Sequence, residues 1–227
     1  MTPGAPRAKL PPQAEGEPIM IVYGSSLSPF VRKVLVFIAE KGLTAEHKPI
    51  GIQDQLPAFR ACSPLGKMPG FADGAFQLAD STAICHYLER RHPMPALFPS
   101  TAEDYGRMVW FEEFSDTVLV PAAGKVFFNL VVKPRFFKQP ADMAVVDKAL
   151  ADDLPPLFDY LEGQIAGPFL TGSTLSLADI AVAVPFVNLQ IAERPLDTKR
   201  WPKLGRYVAA LTARPSFTGV DDQQVAA

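Results

Sequence analysis

Ile19-Met20-Ile21-Val22-Tyr23, then Gly24-Ser25-Ser26-Leu27-Ser28, then Pro29-Phe30, is the stretch whose reading decides the fold of this chain. Five apolar residues in a row suit a strand covered on both faces of a sheet, where the polar alternation of a half-wet strand is lost. The polar turn ends at a proline, whose missing N–H is tolerated in the first turn of a helix. Phe30, Val34, Phe37 and Ile38 follow at helical spacing, and Gly42 after Lys41 supplies a C-terminal stop. The opening unit is strand, short loop, helix.

Outward from there, Ala45 to Ile50 reads as a second short strand and Gly51 to Cys62 as a polar segment with at most a helical turn near Ala58. Gly70-Phe71-Ala72 and Ala75-Phe76-Gln77-Leu78 flank Asp73-Gly74, a hairpin signal. Asp80 and Ser81 open a helix with Ile84, Tyr87 and Leu88 on one face, ending near His92-Pro93. A βαβ unit followed by ββα is the thioredoxin-type arrangement.

Beyond the proline-rich stretch Pro93-Met94-Pro95 to Pro99-Ser100, strand signals vanish. One helix is expected from about Thr101 past Val118, with a kink at Pro121. Another carries Met143, Val146, Leu150, Leu154, Leu157, Leu161 and Ile165, bent or split by Pro155-Pro156. Ser176-Leu177-Ala178-Asp179 is a capping box with Asp in place of Glu or Gln, and Leu175 and Ile180 stand as its hydrophobic staple. The expected organisation is α+β with two domains: a flexible tail over 1–18, a thioredoxin-like domain over 19–93, a linker over 94–100 and an all-helical bundle over 101–227. No internal repeat is visible.

Composition narrows the function classes. With 48% hydrophobic and 20% charged residues, the 227-residue chain buries a real core, and a net charge of −2 gives no basic field for nucleic acid or anionic membrane surfaces. No uninterrupted apolar run approaches the roughly 20 residues that span a bilayer, so no membrane partner is expected. Cys62 and Cys85 form no Cys-x-x-Cys pair, and His47, His86 and His92 show no ligand spacing, which argues against a disulfide or metal framework. The first 18 residues lack the apolar core of a signal peptide, and a cytoplasmic location is expected.

Four segments in order make the chain similar to the cytosolic-type glutathione transferases, specifically to serine-type, bacterial-like members. They are Gly24-Ser25-Ser26-Leu27-Ser28-Pro29-Phe30, Ser63-Pro64-Leu65-Gly66-Lys67-Met68-Pro69, Leu78-Ala79-Asp80-Ser81-Thr82-Ala83-Ile84 and Ser176-Leu177-Ala178-Asp179-Ile180. Arg214-Pro215-Ser216-Phe217 also looks like the end of that family's helical domain. The likeness spans Ile19 to about Val220.

The resemblance implies an enzyme that takes glutathione as co-substrate, without a metal, and joins its sulfur to small hydrophobic electrophiles. Thiolate is the nucleophile, and a free thiol of pKa about 8.5 is only a few per cent ionised near neutrality. A hydroxyl at a helix N-terminus stabilises that anion by a hydrogen bond and by the helix dipole, a place held by Ser28. Read from the residues alone, Ser28 is by default an N-cap; the other motifs favour the catalytic role. Ser26 is the alternative catalytic hydroxyl, and Ser25 competes too. Tyr23 belongs to the core.

The resemblance further implies a cis Met68-Pro69 bond with the Met68 backbone on the cysteinyl part of glutathione, and Lys67 near the glycyl carboxylate or simply solvated. It puts Asp80 and Ser81 on the γ-glutamyl end, where as a bare pattern they are a helix cap, with Gln53 and Gln55 adding polar contacts. The acceptor pocket is expected between the domains against Phe30, Tyr105, Val109, Trp110 and Phe114, although each aromatic alone reads as core. A homodimer is implied. Rival readings are glutathione-dependent peroxidase or dehalogenase activity on the same site, and a non-catalytic protein- or ligand-binding member of the fold.

Overall fold

The computed structural model describes residues 19–52 and 54–220; the tail expected over 1–18 and the candidate contact Gln53 lie outside the described residues. The expected first strand forms as β1 (Met20–Tyr23), followed by α1 (Pro29–Glu40), β2 (Ala45–Lys48), α2 (Pro57–Cys62), β3 (Gly70–Asp73), β4 (Phe76–Ala79) and α3 (Ser81–Arg91). The four strands lie in the order β2-β1-β3-β4. β1 is parallel to β2, with Tyr23 opposite Lys48, and antiparallel to β3, with Tyr23 opposite Gly70. β3 turns into β4 through Gly74 at φ +58°, pairing Gly70 with Ala79.

Side chains along β1 divide by the strand's two-residue period. Met20 and Val22 enter the main core with Phe71, under α1 and α3; Tyr23 points the other way, into a smaller cluster of Ile50, Phe59, Cys62 and Ala72 under α2. This two-sided burial is why β1 is uniformly apolar, whereas β2 at the sheet edge is Ala-Glu-His-Lys.

The proline-rich connector is tied down. Lys41, buried at the end of α1, donates to Glu89 of α3 and to the Pro95 carbonyl, each at 2.7 Å, and Glu89 accepts from the Leu97 and Phe98 N–H groups at 3.2 and 3.4 Å. Met94–Pro95 is cis.

The first helical run continues where a kink was expected. α4 (Ala102–Phe114) passes through the π-helical segment Ser115–Leu119 into α5 (Val120–Phe127), which carries Pro121 in its first turn, and on through a second π-helical segment, Phe128–Phe137. A proline lacks the N–H of the i→i−4 bond and its ring crowds the preceding turn; a widened π turn just upstream accommodates both. The same device recurs at Pro155-Pro156, where π-helical Ala149–Asp153 joins α6 (Met143–Lys148) to α7 (Leu154–Gln164).

By length and composition, residues 102–137 form a helix apolar enough to cross a membrane, which no uninterrupted run in the sequence is; 44% of its most apolar window is buried inside the fold, with α8 (Leu177–Ile191) packed along it. α8 is apolar all round because it is the centre of the bundle, touching α1, α4, α5 and α9 (Pro202–Thr212).

At the start of α8, Asp179 takes the capping position expected of it and does more. Its carboxylate accepts from Ser176 N–H and Leu170 N–H at 2.8 Å, from Ser176 Oγ at 2.9 Å and from Tyr207 Oη at 2.8 Å. Burial still raises its pKa above the ordinary carboxylate value. The chain returns at α10 (Pro215–Thr218), where Arg214 grips Glu40 of α1 through two bonds of 2.6 and 2.8 Å.

Candidate active site

Three loops leave the sheet at one end, because Tyr23 pairs with Gly70 and Gly70 with Ala79. They begin at Gly24, end at Pro69 and begin at Asp80, which brings three of the four sequence segments together. Gly24 has φ +146°, and a Cβ there would lie 2.4 Å from Val31 Cγ2, so only glycine lets the chain turn this tightly onto α1. Its carbonyl accepts from His47 Nε2 at 2.8 Å.

The serine loop is held at several points. Ser25 N–H donates to Met68 Sδ at 3.2 Å, Leu27 N–H to Ser25 Oγ at 3.3 Å and Ser28 N–H to the Ser25 carbonyl at 2.9 Å. From the helical domain, Asn188 of α8 donates Nδ2–H to the Leu27 carbonyl at 2.9 Å. The result is Ser28 at the N-cap of α1 ahead of Pro29, with its Oγ accepting from Val31 N–H at 3.5 Å, the long limit for such a bond. Ser28 and Ser25 both line a cavity of about 640 Å³ between the domains. Ser26 does not: it is fully buried and absent from the lining, which moves the second accessible hydroxyl to Ser25.

Met68–Pro69 is cis, and Met68 joins Ser28 and Phe30 on the cavity wall. Gly66, at φ +68°, makes the approach to it, and Ser63 Oγ donates to the Lys67 carbonyl at 2.7 Å. Asp80 is the N-cap of α3, its Oδ1 accepting from Ala83 N–H at 3.0 Å, and its φ of +77° is unusual for a residue with a side chain. Ser81 is buried behind it, and Lys67 is exposed. Gln55 stands in the loop ahead of α2. Asp80, Ser81 and Lys67 lie outside the cavity lining.

Next to Ser81, Thr82 is anchored to the helical domain. Lys33 of α1, itself buried, donates to Glu112 at 3.0 Å, to Asp116 and to Thr82 Oγ1 at 3.3 Å, and Thr82 Oγ1 donates to Glu112 at 2.8 Å. Burial pushes the Lys33 pKa down, but Asp116 and then Glu112 push it up by more, and it stands above the ordinary lysine value. Cys85 beside them is fully buried, and burial raises its thiol well above the usual range, which makes it inert.

The cavity is not walled by the residues expected from the start of the long helix. Tyr105, Val109, Trp110 and Phe114 do not line the cavity. Trp110 Nε1 donates to Tyr160 Oη of α7 at 2.6 Å, Phe114 packs on the Tyr160 ring and Tyr105 on Phe98. The wall comes from further along the same helix, Ala123, Phe127, Phe128, Val132, Arg135 and Phe136, and from Pro185 and Asn188 of α8. The four-residue spacing from Ala123 to Phe127 and from Gly124 to Phe128 was the signal for them, beyond Pro121, where a kink was expected.

Comparison with known proteins agrees with this geometry. Residues 22–96 match the model of the glutathione S-transferase N-terminal domain and residues 141–210 that of the C-terminal domain. The chain is 32% identical over 203 residues to glutathione S-transferase 3 of Zea mays, covering 86% of this chain and 90% of that one. Among solved structures it is similar to glutathione S-transferase III in apo form, with TM-score 0.77 and 29% identity over 88% of this chain and 94% of that one. It shares its fold with glutathione S-transferase-I bound with lactoylglutathione, at TM-score 0.79, 24% identity and 92% and 98% coverage. With the thioredoxin-like and helical domains both matched and a relative 32% identical over most of both chains, the chain belongs to the glutathione S-transferase family.

Proposed function

We propose that this enzyme conjugates glutathione with small hydrophobic electrophiles, with the Ser28 hydroxyl stabilising the thiolate. One observation carries the assignment: Ser28 caps α1 on the wall of an apolar interdomain cavity, with its hydroxyl only loosely engaged at 3.5 Å. Its O–H is left to donate to an anion, and the α1 N-terminus adds its dipole.

Glutathione, the co-substrate, then lies along the loops at the sheet end. The Met68 backbone pairs with the cysteinyl unit as an added strand would. Asp80 receives the amine, Ser81 and the α3 N-terminus receive the γ-glutamyl carboxylate, and Lys67 serves the glycyl carboxylate, with Gln53 or Gln55 nearby. Phe30 and the α5 wall receive the electrophile. On a halide-bearing carbon the thiol proton goes to solvent, the C–S bond forms and the halide leaves with the bonding pair. On a conjugated carbonyl the C–S bond forms, the π pair moves to oxygen and the enolate takes its proton from water.

The family's two-fold pairing and the exposed Phe76, Tyr105 and Trp110 side chains support a homodimer. A cytoplasmic location accords with this soluble-substrate chemistry. The test is turnover with a panel of aryl halides and enones, alongside ultraviolet titration of bound thiolate in wild type and Ser28→Ala. The variant is expected to bind glutathione while its thiol pKa rises, each unit equivalent to about 1.4 kcal/mol. Unchanged thiolate pKa and rate in Ser28→Ala, with loss in Ser25→Ala, would reassign the hydroxyl.

A further inference from the structure

We infer that the acceptors this enzyme prefers are apolar electrophiles carrying a carboxylate, which Arg135 holds; this rests on the conjugation reading and narrows its substrate class. Among the described residues that line the cavity, Arg135 is the one ionisable side chain, set in a wall of Phe30, Phe127, Phe128 and Phe136. It is half-buried near the end of the π-helical segment Phe128–Phe137, and no described carboxylate pairs with it. Lys133 and Lys138 flank it, and no acidic residue occurs from Phe128 to Ala141, so the local field is positive.

A guanidinium cannot shed its charge, so half-burying one without a counter-ion costs free energy that a ligand anion recovers. Its planar fork matches a carboxylate through two parallel hydrogen bonds. The cavity, about 640 Å³, is of the size that encloses a small organic molecule. Ser28 belongs to the thioredoxin-like side and Arg135 to the helical side, so a bound acceptor presents its reactive carbon to the sulfur at one wall and its carboxylate to the other. Glutathione's own charged ends are assigned to Lys67, Asp80 and Ser81, which lie outside the lining. Arg135 is therefore left for the second substrate.

The experiment uses two aryl enones identical except that one bears an oxyacetic acid and the other its primary amide. The ratio kcat/KM for each is measured at saturating glutathione with wild type, Arg135→Met and Arg135→Lys. Arg135→Met is expected to lose roughly 10- to 100-fold on the acid, the usual range for hydrogen bonds to a charged group. The amide should change less than about threefold, the glutathione KM should hold, and Arg135→Lys should fall between, since an ammonium keeps the charge and loses the fork. An equal loss on both enones, or a raised glutathione KM, overturns the inference, the latter assigning Arg135 to the glycyl carboxylate. If wild type turns over neither enone, the conjugation reading fails by itself. Titration calorimetry with the saturated, unreactive analogues, glutathione present, then decides the carboxylate site. Tighter binding of the acid by wild type but not by Arg135→Met supports it, and equal binding refutes it.

Discussion

Lys33→Met is the perturbation that most directly tests how the two domains are coupled beneath the Asp80-Ser81 turn. Methionine keeps the length and apolar stem of lysine and removes the charge, leaving Glu112, as buried as Lys33 itself, and Asp116 without their cation. Removing one partner of a buried ion pair costs about 3–5 kcal/mol, because the remaining charge is stranded. In a chain of this size each kcal/mol shifts Tm by about 2–4 °C, so a fall of roughly 6–20 °C is expected.

The pH dependence has a definite sign. In the wild type the Lys33 pKa is raised, so its contribution is complete below the unfolded lysine value of about 10.4 and is lost only as pH rises through the folded one. In the variant Asp116, already raised by burial, loses the Lys33 charge that drew it down and rises further. A carboxyl with a raised folded pKa favours the folded state as pH falls, so the deficit should be smaller at pH 5 than at pH 8. Urea denaturation of wild type and variant at both values measures it. A loss below about 1 kcal/mol, or one equal at the two pH values, would refute the coupling argument.

Other outcomes follow from single contacts. Gly24→Ala forces a Cβ to 2.4 Å from Val31 at φ +146° and should lower stability by about 2–3 kcal/mol, read by denaturation; adding Val31→Ala should recover only part, since the backbone strain stays. Asp80→Ala should raise the glutathione KM much more than it lowers kcat at saturation, as expected for an interaction shared by ground and transition states, and an unchanged KM counts against the assignment. Asp179→Asn turns one acceptor oxygen into a donor facing either Leu170 and Tyr207 or Ser176, so a loss of about 2–4 kcal/mol in stability is expected, with Tm the readout.

How much was legible depended on whether a signal was local. β1, α1, the β3–β4 hairpin and the capping box at Ser176 each declare themselves within a dozen residues, through apolar runs, a turn dipeptide or a cap. β2 is weaker in sequence because an edge strand has little to bury, and α2 is short, with only Phe59 and Cys62 facing the core. Nothing in residues 94–100 shows that Lys41 and Glu89 hold the connector, since both partners come from the thioredoxin-like domain.

Of the site residues expected from the sequence, Ser28, Phe30 and Met68 line the interdomain cavity, and Tyr105, Val109, Trp110 and Phe114 do not. Residues at loop starts keep their meaning because strand register carries them together, as Tyr23, Gly70 and Ala79 do here. Which of three serines faces the cavity is different: it is set by the turn at Gly24 and by Asn188, a partner 161 residues away. On the long helix the residues expected at the cavity, Tyr105, Val109, Trp110 and Phe114, all precede the π-helical segment Ser115–Leu119, and those that line it, from Val120 on, all follow it. That segment breaks the helical phase, and each extra residue turns the apolar stripe by about 100°. Upstream of it Trp110 faces Tyr160, within it Asp116 reaches Lys33, and downstream the face beginning at Ala123 meets the cavity. Pro121 therefore sits inside a continuous helical run, and the widened turn that accommodates it also sets which side chains beyond it face the cavity.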